Sequence, residues 1–109
     1  MLTNAIVAHL IADWIFQSDW IATHKTSLAH PAAWVHGMFH LLVMLLIFPA
    51  HVAIAIAAIH MVIDTRLPVN WWQAFYKQTA EGPYHIHVQI WVDQVFHISV
   101  LAFFVWLIR

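Results

Sequence analysis

The sequence contains no cysteine and only two glycines, which excludes several kinds of functional site. Without thiols the chain has neither disulfides nor thiolate metal ligands. It has no phosphate-cradling glycine loop, no G-x-S-x-G elbow and no H-E-x-x-H zinc motif. Charged residues make up only 8% of the chain, whereas soluble domains carry about 25%. The net charge of −1 argues against a nucleic-acid partner.

Apolar residues are abundant and make up 63% of the 109 residues. A chain with so few charges cannot cover a water-facing surface, so we expect an integral membrane protein of one domain, residues 1–109. Four apolar runs cover residues 2–23, 31–48, 50 to 63 or 66, and 87–108. Because a hydrocarbon core of ~30 Å takes about 20 helical residues, these runs predict an all-α bundle of four transmembrane helices. A re-entrant pair around Pro49 is the alternative for the two middle runs.

Residues 67–84 change in character and are rich in aromatic side chains. Trp71, Trp72, Phe75 and Tyr76 share one helical face, at spacings i, i+1, i+4 and i+5. Tryptophan and tyrosine anchor segments at membrane interfaces, so this pattern predicts a short interfacial amphipathic helix between the third and fourth transmembrane helices. An ordinary loop with interfacial aromatics is the alternative.

The few basic residues favour one membrane orientation. Lys25, Arg66 and Lys77 fall on the side of the two predicted loops, whereas Arg109 and the amino terminus fall on the other side. The positive-inside rule therefore predicts that loops 23–31 and 66–86 are cytoplasmic and that both termini are outside.

Polar residues inside the apolar runs follow a single pattern. Each predicted helix carries one pair of histidine or aspartate residues at i, i+4, where two side chains lie about 5–6 Å apart on one face. All of these pairs fall in the half of the membrane nearest the loops, so we expect them to meet in one layer of the bundle. The pairs are His9 and Asp13, His36 and His40, His60 and Asp64, and Asp93 and His97.

Such a layer predicts a metal site. A charged residue at bilayer depth costs about 2.5–3.5 kcal/mol, and a cation shared by facing side chains supplies the missing counter-charge. Imidazole and carboxylate without thiolate suit zinc first, and also iron or manganese. The eight candidate ligands exceed what one tetrahedral zinc takes, so we favour two ions over one. A network of His–Asp hydrogen bonds that joins the helices, or a proton relay, is the alternative.

Further polar residues lie near these pairs. Gln17 is i+4 from Asp13 and could support it, and Gln94 could bond a ligand carboxylate. Asp19 lies closer to the loop and either faces the mouth of the site or is solvated. Lys25 either contacts a substrate phosphate or anchors the helix at the interface. The remaining histidines fit no i, i+4 pair and are expected at membrane edges: His24, His30, His51, His85 and His87.

The chain resembles domain of unknown function family 3307, a family of small bacterial and phage membrane proteins, over essentially its whole length. The resemblance rests on HLIADWIFQSDW with Lys25 downstream, then HGMFH, HMVID and VDQVFH. It implies several transmembrane helices, in a bacterial inner membrane, and no particular activity; the tryptophan-rich segment 67–84 matches no motif of the family. A looser similarity to membrane-bound metal-dependent hydrolases implies hydrolysis. The positions that the family motifs carry over are His9, Asp13, Gln17, Asp19, Lys25, His36, His40, His60, Asp64, Asp93, Gln94 and His97.

Two classes of function follow from this pattern. The first is a metal-dependent hydrolase acting at the membrane surface on a phosphate- or ester-containing substrate, with the eight paired residues as ligands, Asp19 as general base and Lys25 on the phosphate. The second is a non-catalytic small subunit of a larger membrane complex, in which the polar layer is structural or binds a metal or a pigment. Transport of metal ions or protons ranks last, because the ligands of a transporter would follow a path through the membrane and would not form one layer. We expect membrane lipids as partners, and a homodimer or a larger complex.

Overall fold

The computed structural model describes residues 1–15, 17–76, 78 and 85–108, and these residues form an all-α fold. Within the described ranges there is no strand, so the predicted fold class is confirmed at this level. The elements are α1 (Leu2–Leu10), a π-helical turn (Ile11–Ile15), α2 (Asp19–His24), α3 (Pro31–Met44), α4 (Ala50–Asp64), α5 (Leu67–Phe75) and α6 (His85–Ile108).

A proline marks the start of each helix of the α3–α4 hairpin. Pro31 occupies the first turn of α3, and the ring of His30 accepts a hydrogen bond from the Ala32 backbone N–H at 3.0 Å. Pro49 precedes α4 and cannot donate a backbone hydrogen bond to the preceding helix. The two helices pack against each other, as the sequence predicted.

The first apolar run does not form the continuous helix that the sequence predicted. Its α-helix ends at Leu10, a π-helical turn follows, and α2 begins only at Asp19. Ser18 causes the restart, because its Oγ accepts a hydrogen bond from the Ile21 backbone N–H at 3.3 Å. Serine side chains compete with helical hydrogen bonds in this way, and an apolar pattern does not register it.

A sharp bend joins α4 to α5. Arg66 adopts a left-handed backbone conformation, with φ of 68°, and the two helices meet at 59°. The predicted short helix after the third run is present as α5. Its Val69 and Gln73 are buried against the protein, whereas Trp71 is 63% exposed. Residues 77 and 79–84 of the predicted interfacial segment lie outside the described residues.

The helix lengths do not support four membrane spans. Among the described residues, only Ile86–Ile108 is by itself long and apolar enough to cross a membrane; α4 and α5 would make a second span only as one bent unit. The segments Leu2–Ile15 and Pro31–Met44 are apolar but shorter. At 1.5 Å per residue α3 is about 21 Å long, which is less than a ~30 Å hydrocarbon core. The apolar runs of the sequence overestimated the number of membrane spans because they included turn residues.

The interior has an apolar end and a polar end. The polar end lies one to two helical turns from the apolar end. In α4 the apolar Val52 and Ile56 precede His60, whereas in the antiparallel α3 the polar His40 precedes the apolar Met44. Helices α1, α3, α4 and α6 therefore contribute apolar side chains to the core at one end of the molecule. Their polar side chains lie at the other end, towards α2 and α5. The buried core residues are Ala5, Met44, Phe48, Val52, Ala53, Ile56 and Leu101.

Gly37 sets the spacing between α3 and α4. A Cβ atom at this position would lie 2.6 Å from Sδ and 2.9 Å from Cγ of Met61. Gly37 lies between His36 and His40 on α3, and Met61 follows His60 on α4. The missing side chain therefore lets these three histidines approach one another.

We expect Gly37→Ala to lower stability. Overpacking costs about 1–3 kcal/mol, which outweighs the gain of up to about 1 kcal/mol from replacing glycine by alanine in a helix. Thermal unfolding of purified Gly37→Ala, Met61→Ala and the double variant measures this. The double variant should recover part of the loss, because truncation of Met61 frees the space. A single Gly37→Ala variant at least as stable as the parent would contradict the packing argument.

Candidate metal centre

Five elements bring the histidine and aspartate pairs into one buried cluster. The first pair comes from α1 and the π-helical turn, and the others come from α3, α4 and α6. All eight residues are between 1% and 4% exposed. We call them the histidine–aspartate cluster: His9, Asp13, His36, His40, His60, Asp64, Asp93 and His97.

Six members of this cluster form two overlapping groups that could hold a metal ion. Within each group, one donor atom from every residue lies within 4.8 Å of the others. His60 belongs to both groups, so the two groups are neighbours that share a residue. The first group is Asp13, His36, His40 and His60, and the second is His60, Asp64 and His97.

Asp13 is the centre of the first group. Its Oδ1 lies 3.1 Å from Nε2 of His36 and 3.6 Å from Nε2 of His40. A tetrahedral zinc with bonds of about 2.0–2.1 Å holds its ligand atoms roughly 3.3 Å apart. The observed separations therefore bracket the spacing that a bound zinc requires.

Asp64 connects the two groups through its two oxygens. Oδ2 lies 2.8 Å from Nε2 of His60 and 3.3 Å from Nε2 of His36. Oδ1 lies 3.3 Å from Nε2 of His97. One carboxylate thus contacts imidazoles from three helices.

Several of these close contacts are not aligned hydrogen bonds. Both ring nitrogens of His60 lack a hydrogen-bond partner among the described residues, although one lies 2.8 Å from a carboxylate. Nε2 of His40, Nε2 of His97 and Oδ2 of Asp64 are also unpaired. A buried polar atom without a partner costs about 1–3 kcal/mol. A cation satisfies such atoms together, because they approach one another without pairing.

Asp93 supports His97 and is not part of either group. The Nδ1 of His97 donates to the backbone oxygen of Asp93 at 2.7 Å, and the carboxylate Oδ2 lies 3.5 Å from the same nitrogen. In the neutral ring this leaves the lone pair on Nε2, which faces Asp64. Partners that fix the tautomer of a ligand histidine are a regular part of metal sites.

Gln94 supports the other side of the cluster and links α6 to the first helix. Its Nε2 donates to Oδ2 of Asp13 at 3.1 Å, and its Oε1 accepts from Nε2 of His9 at 3.1 Å. The ring of His9 lies against that of His97, with centroids 5.1 Å apart. The ring of His9 also lies 5.2 Å from that of His40 and 5.7 Å from that of His60, so His9 packs among the other histidines while its Nε2 is engaged by Gln94. The sequence predicted His9 and Asp93 as ligands; in the structure both lie outside the two groups.

The two predicted catalytic residues lie in different environments. Lys25 is near the cluster: its Nζ donates to Oε1 of Gln17 at 2.8 Å and lies 3.9 Å from Oδ1 of Asp13. Asp19 is exposed in the first turn of α2. The spacing i+6 from Asp13 predicted two alternatives, and the structure places Asp19 at the surface.

The unpaired histidines remain outside the cluster. His24 and His30 stack on each other with ring centroids 4.1 Å apart, at the α2–α3 connection. His51 and His87 are exposed, and the side chain of His85 is outside the described residues. The position at a membrane edge that the sequence predicted for these histidines stays a prediction.

The cluster lies between two cavities of very different size. The cavity towards the apolar core, lined by His9, His40, His60 and His97 among others, has a volume of about 10 Å³, which is room for about one water. The cavity towards the loops is partly open and has a volume of about 200 Å³. We call this second space the loop-end cavity, and its polar lining is Asp13, Gln17, Lys25, Arg66, Asp93 and Gln94.

Arg66 is the site residue that the sequence analysis missed. Its position just after α4 was used only as a topology charge, because an i, i+4 search for ligands excludes it. The left-handed backbone at Arg66 places it at the bend before α5, on the wall of the loop-end cavity. Lys25 and Arg66 thereby both line the loop-end cavity.

The fold and the site define an all-helical protein whose buried histidine and aspartate side chains could hold a metal ion. The chain belongs to the family described as Protein of unknown function (DUF3307), whose family model matches residues 1–109. The resemblance seen in the motifs is thereby confirmed, whereas the bacterial and membrane character expected of the family stays a prediction. No curated protein and no solved structure matches the chain.

We expect His60→Ala to remove metal binding. His60 belongs to both groups, so its loss should lower metal affinity by more than the roughly 10–100-fold that loss of a supporting partner costs. Elemental analysis of the purified protein, together with titration of the metal-free form with Co²⁺, measures this. His51→Ala is the matched control, because it removes an exposed histidine from the same helix.

Gln94→Ala should give an intermediate result. It removes the hydrogen bonds that orient Asp13 and His9 but no member of the two groups. We expect a fall in metal affinity of about 10–100-fold in the same Co²⁺ titration. Equal metal content in the parent, His60→Ala and His51→Ala would show that these groups do not bind the metal.

Proposed function

We propose that the protein is a membrane metalloprotein that hydrolyses a membrane-associated substrate carrying a phosphate or carboxylic ester. One observation carries the proposal: of two overlapping groups of buried donor atoms, each within 4.8 Å, the first reaches a partly open cavity of about 200 Å³ through Asp13. A purely structural metal site is normally closed by protein ligands, whereas a catalytic one keeps access for water and substrate. The loop-end cavity supplies this access.

The donor set favours zinc, with iron or manganese as alternatives. Imidazole and carboxylate oxygen are the only donors present, and the chain has no thiol. The contacts of Asp64 support two ions, because its two oxygens face histidines of different groups. One ion with the remaining residues in a supporting role is the simpler arrangement.

A bound divalent ion supplies Lewis acidity to the scissile group. The chain's own residues have separate tasks in the hydrolysis. Asp93 lines the loop-end cavity and its Oδ1 has no hydrogen-bond partner in the described structure, so it is placed to take a proton from the attacking water. The water oxygen forms the new bond, the ester bond breaks, and the proton passes to the leaving oxygen. This assigns to Asp93 the role predicted for Asp19, which is exposed.

The membrane location rests on the exposed apolar surface. Trp34, Trp91 and Trp106 are each more than 60% exposed, and they lie on α3 and α6. Only 17% of the apolar window of α6 is buried inside the protein, which differs from the core helix of a soluble domain. Lipid, a second copy of the chain or a larger membrane complex would cover these faces. We place the two loops in the cytoplasm and the protein in a bacterial inner membrane.

A non-catalytic role is the second candidate. In this case the histidine–aspartate cluster would join α1, α3, α4 and α6 around an ion within a larger membrane complex. The close packing on the core side favours it, since the cavity there has a volume of only about 10 Å³. The two functions differ in whether removal of the metal abolishes a reaction or only lowers stability.

Hydrolysis is tested with chromogenic p-nitrophenyl phosphate, bis-p-nitrophenyl phosphate and p-nitrophenyl esters, using metal-loaded protein in mild detergent. We expect turnover that a chelator abolishes and zinc restores. Asp93→Asn should lower kcat by about 10²–10⁴-fold without loss of metal, because it removes a proton acceptor. Asp19→Asn is the matched control and should keep parental activity.

One result would decide against catalysis, and another would decide against Asp93 as the proton acceptor. Parental protein that carries metal but turns over none of these substrates, and whose Tm falls on chelation, would support the non-catalytic candidate. Loss of activity in Asp19→Asn with full activity in Asp93→Asn would reverse the assignment of the proton acceptor.

The orientation can be tested by cysteine labelling, because the native chain has no cysteine. We expect Thr3→Cys to react with a membrane-impermeant maleimide in intact cells. Ser27→Cys, in the 23–31 loop, should react only after permeabilisation. Both residues are exposed in the structure, so their accessibility differs only through the membrane. The reverse labelling pattern would invert the topology, and recovery of the protein in the soluble fraction would contradict the membrane location.

A further inference from the structure

We propose that the loop-end cavity binds a phosphate group between the side chains of Arg66 and Lys25. The inference deepens the proposed function and rests on it, since it names phosphate as the chemical class of the substrate. It is argued from the charges, the backbone and the dimensions of the cavity.

The charges that face the cavity come from four elements or connections. Lys25 follows α2, Arg66 precedes α5, Asp13 lies in the π-helical turn and Asp93 lies in α6. Asp13 is already engaged by His36, by Gln94 and by Lys25. A divalent ion beside Asp13 would make the combined charge at this wall positive, which favours an anionic ligand.

Arg66 is the cation with spare bonding capacity. Its guanidinium makes no hydrogen bond and no ion pair with any other described residue, although Asp93 lines the same cavity. Lys25, in contrast, already donates to Gln17 at 2.8 Å. A guanidinium presents a planar fork of N–H donors that matches two oxygens of one phosphate, whereas a lysine acts as a point charge.

The backbone of Arg66 gives a second, independent indication. Its φ of 68° is the left-handed conformation that normally selects glycine at the end of a helix. A large side chain at such a position is strained, and strained residues cluster at sites where the side chain has a task. If this position only had to form the bend between α4 and α5, glycine would do so with less backbone strain. An arginine in this strained position therefore supports a task for its guanidinium in the cavity.

The cavity has the size and the neighbours that a phosphoryl group requires. A volume of about 200 Å³ corresponds to several waters, each with a share of about 30 Å³ in the liquid. The space adjoins Asp13, a member of the first group of metal donors, and Asp93, the proposed proton acceptor. A phosphate held by Arg66 would therefore lie next to both the ion and the proton acceptor.

The proposal is tested by titration calorimetry of inorganic phosphate into the desalted, metal-loaded protein in an uncharged detergent. We expect Arg66→Gln and Lys25→Gln each to raise Kd by roughly tenfold or more, since each removes charge-assisted hydrogen bonds. Arg109→Gln is the charge-matched control: it removes the same charge at the residue that follows Ile108 in the sequence and should leave Kd unchanged.

Arg66→Gly separates binding from folding. Glycine adopts the left-handed conformation without strain, so its Tm should equal or exceed that of the parent. Phosphate affinity should nevertheless fall as far as in Arg66→Gln. A Kd equal to the parental value in Arg66→Gly, or an Arg109→Gln effect as large as that of Arg66→Gln, would overturn the proposal.

The source of the phosphate is distinguished by a second ligand, dihexanoyl phosphatidic acid below its micellar concentration. Tighter binding than inorganic phosphate, still dependent on Arg66, supports a lipid headgroup; equal affinity supports a free or soluble phosphate ester. Elemental analysis of the same samples keeps the two proposals apart. Full metal content with phosphate affinity independent of Arg66 refutes only this inference, whereas absence of metal in the parent refutes the proposed function.

Discussion

Burial of ionisable side chains away from water is the constraint on which the rest of the structure depends. The eight residues that carry these imidazole and carboxylate groups are at most 4% exposed and lie in one layer between five elements. Each such group is costly unless another group or an ion compensates it. The carboxylates of Asp13 and Asp64 meet this requirement by contacting histidines from several helices at once. Displacement of any one helix would therefore leave partners on the others uncompensated.

Other features of the fold follow from this layer. The absence of a side chain at Gly37 allows α3 and α4 to approach where their histidines meet. The π-helical turn around Asp13 falls where the first helix reaches the layer, and π-helical turns often occur at functional sites. Gln94 of α6 reaches across to the first apolar run and hydrogen-bonds both His9 and Asp13. The close packing at Gly37, the π-helical turn and the hydrogen bonds of Gln94 thus all occur at the histidine–aspartate cluster.

Much of the site could be predicted from the sequence because one-turn spacing is a local property. Residues at i and i+4 share a face of any helix, so His60 and Asp64 had to point the same way once α4 formed. Apolar periodicity and proline likewise located α3 and α4. The sequence did not reveal which cluster members are central and which are supporting, because His9 and Asp93 differ from the others only in tertiary contacts. Arg66 was missed because its importance lies in a backbone angle, and the break at Ser18 because a single hydroxyl hydrogen bond decides it.

The unequal cavities on the two sides of the cluster imply an order of events. The core side has room for about one water, whereas the loop-end cavity is a wide, partly open approach to the cluster. Under the proposed function, the metal ion and the substrate would therefore both enter through the loop-end cavity, and the ion would enter first. A substrate seated there would block the ion's exit, so occupancy of the cavity would slow dissociation of the metal. Under the proposed function, metal exchange would then be confined to the intervals in which the loop-end cavity is empty.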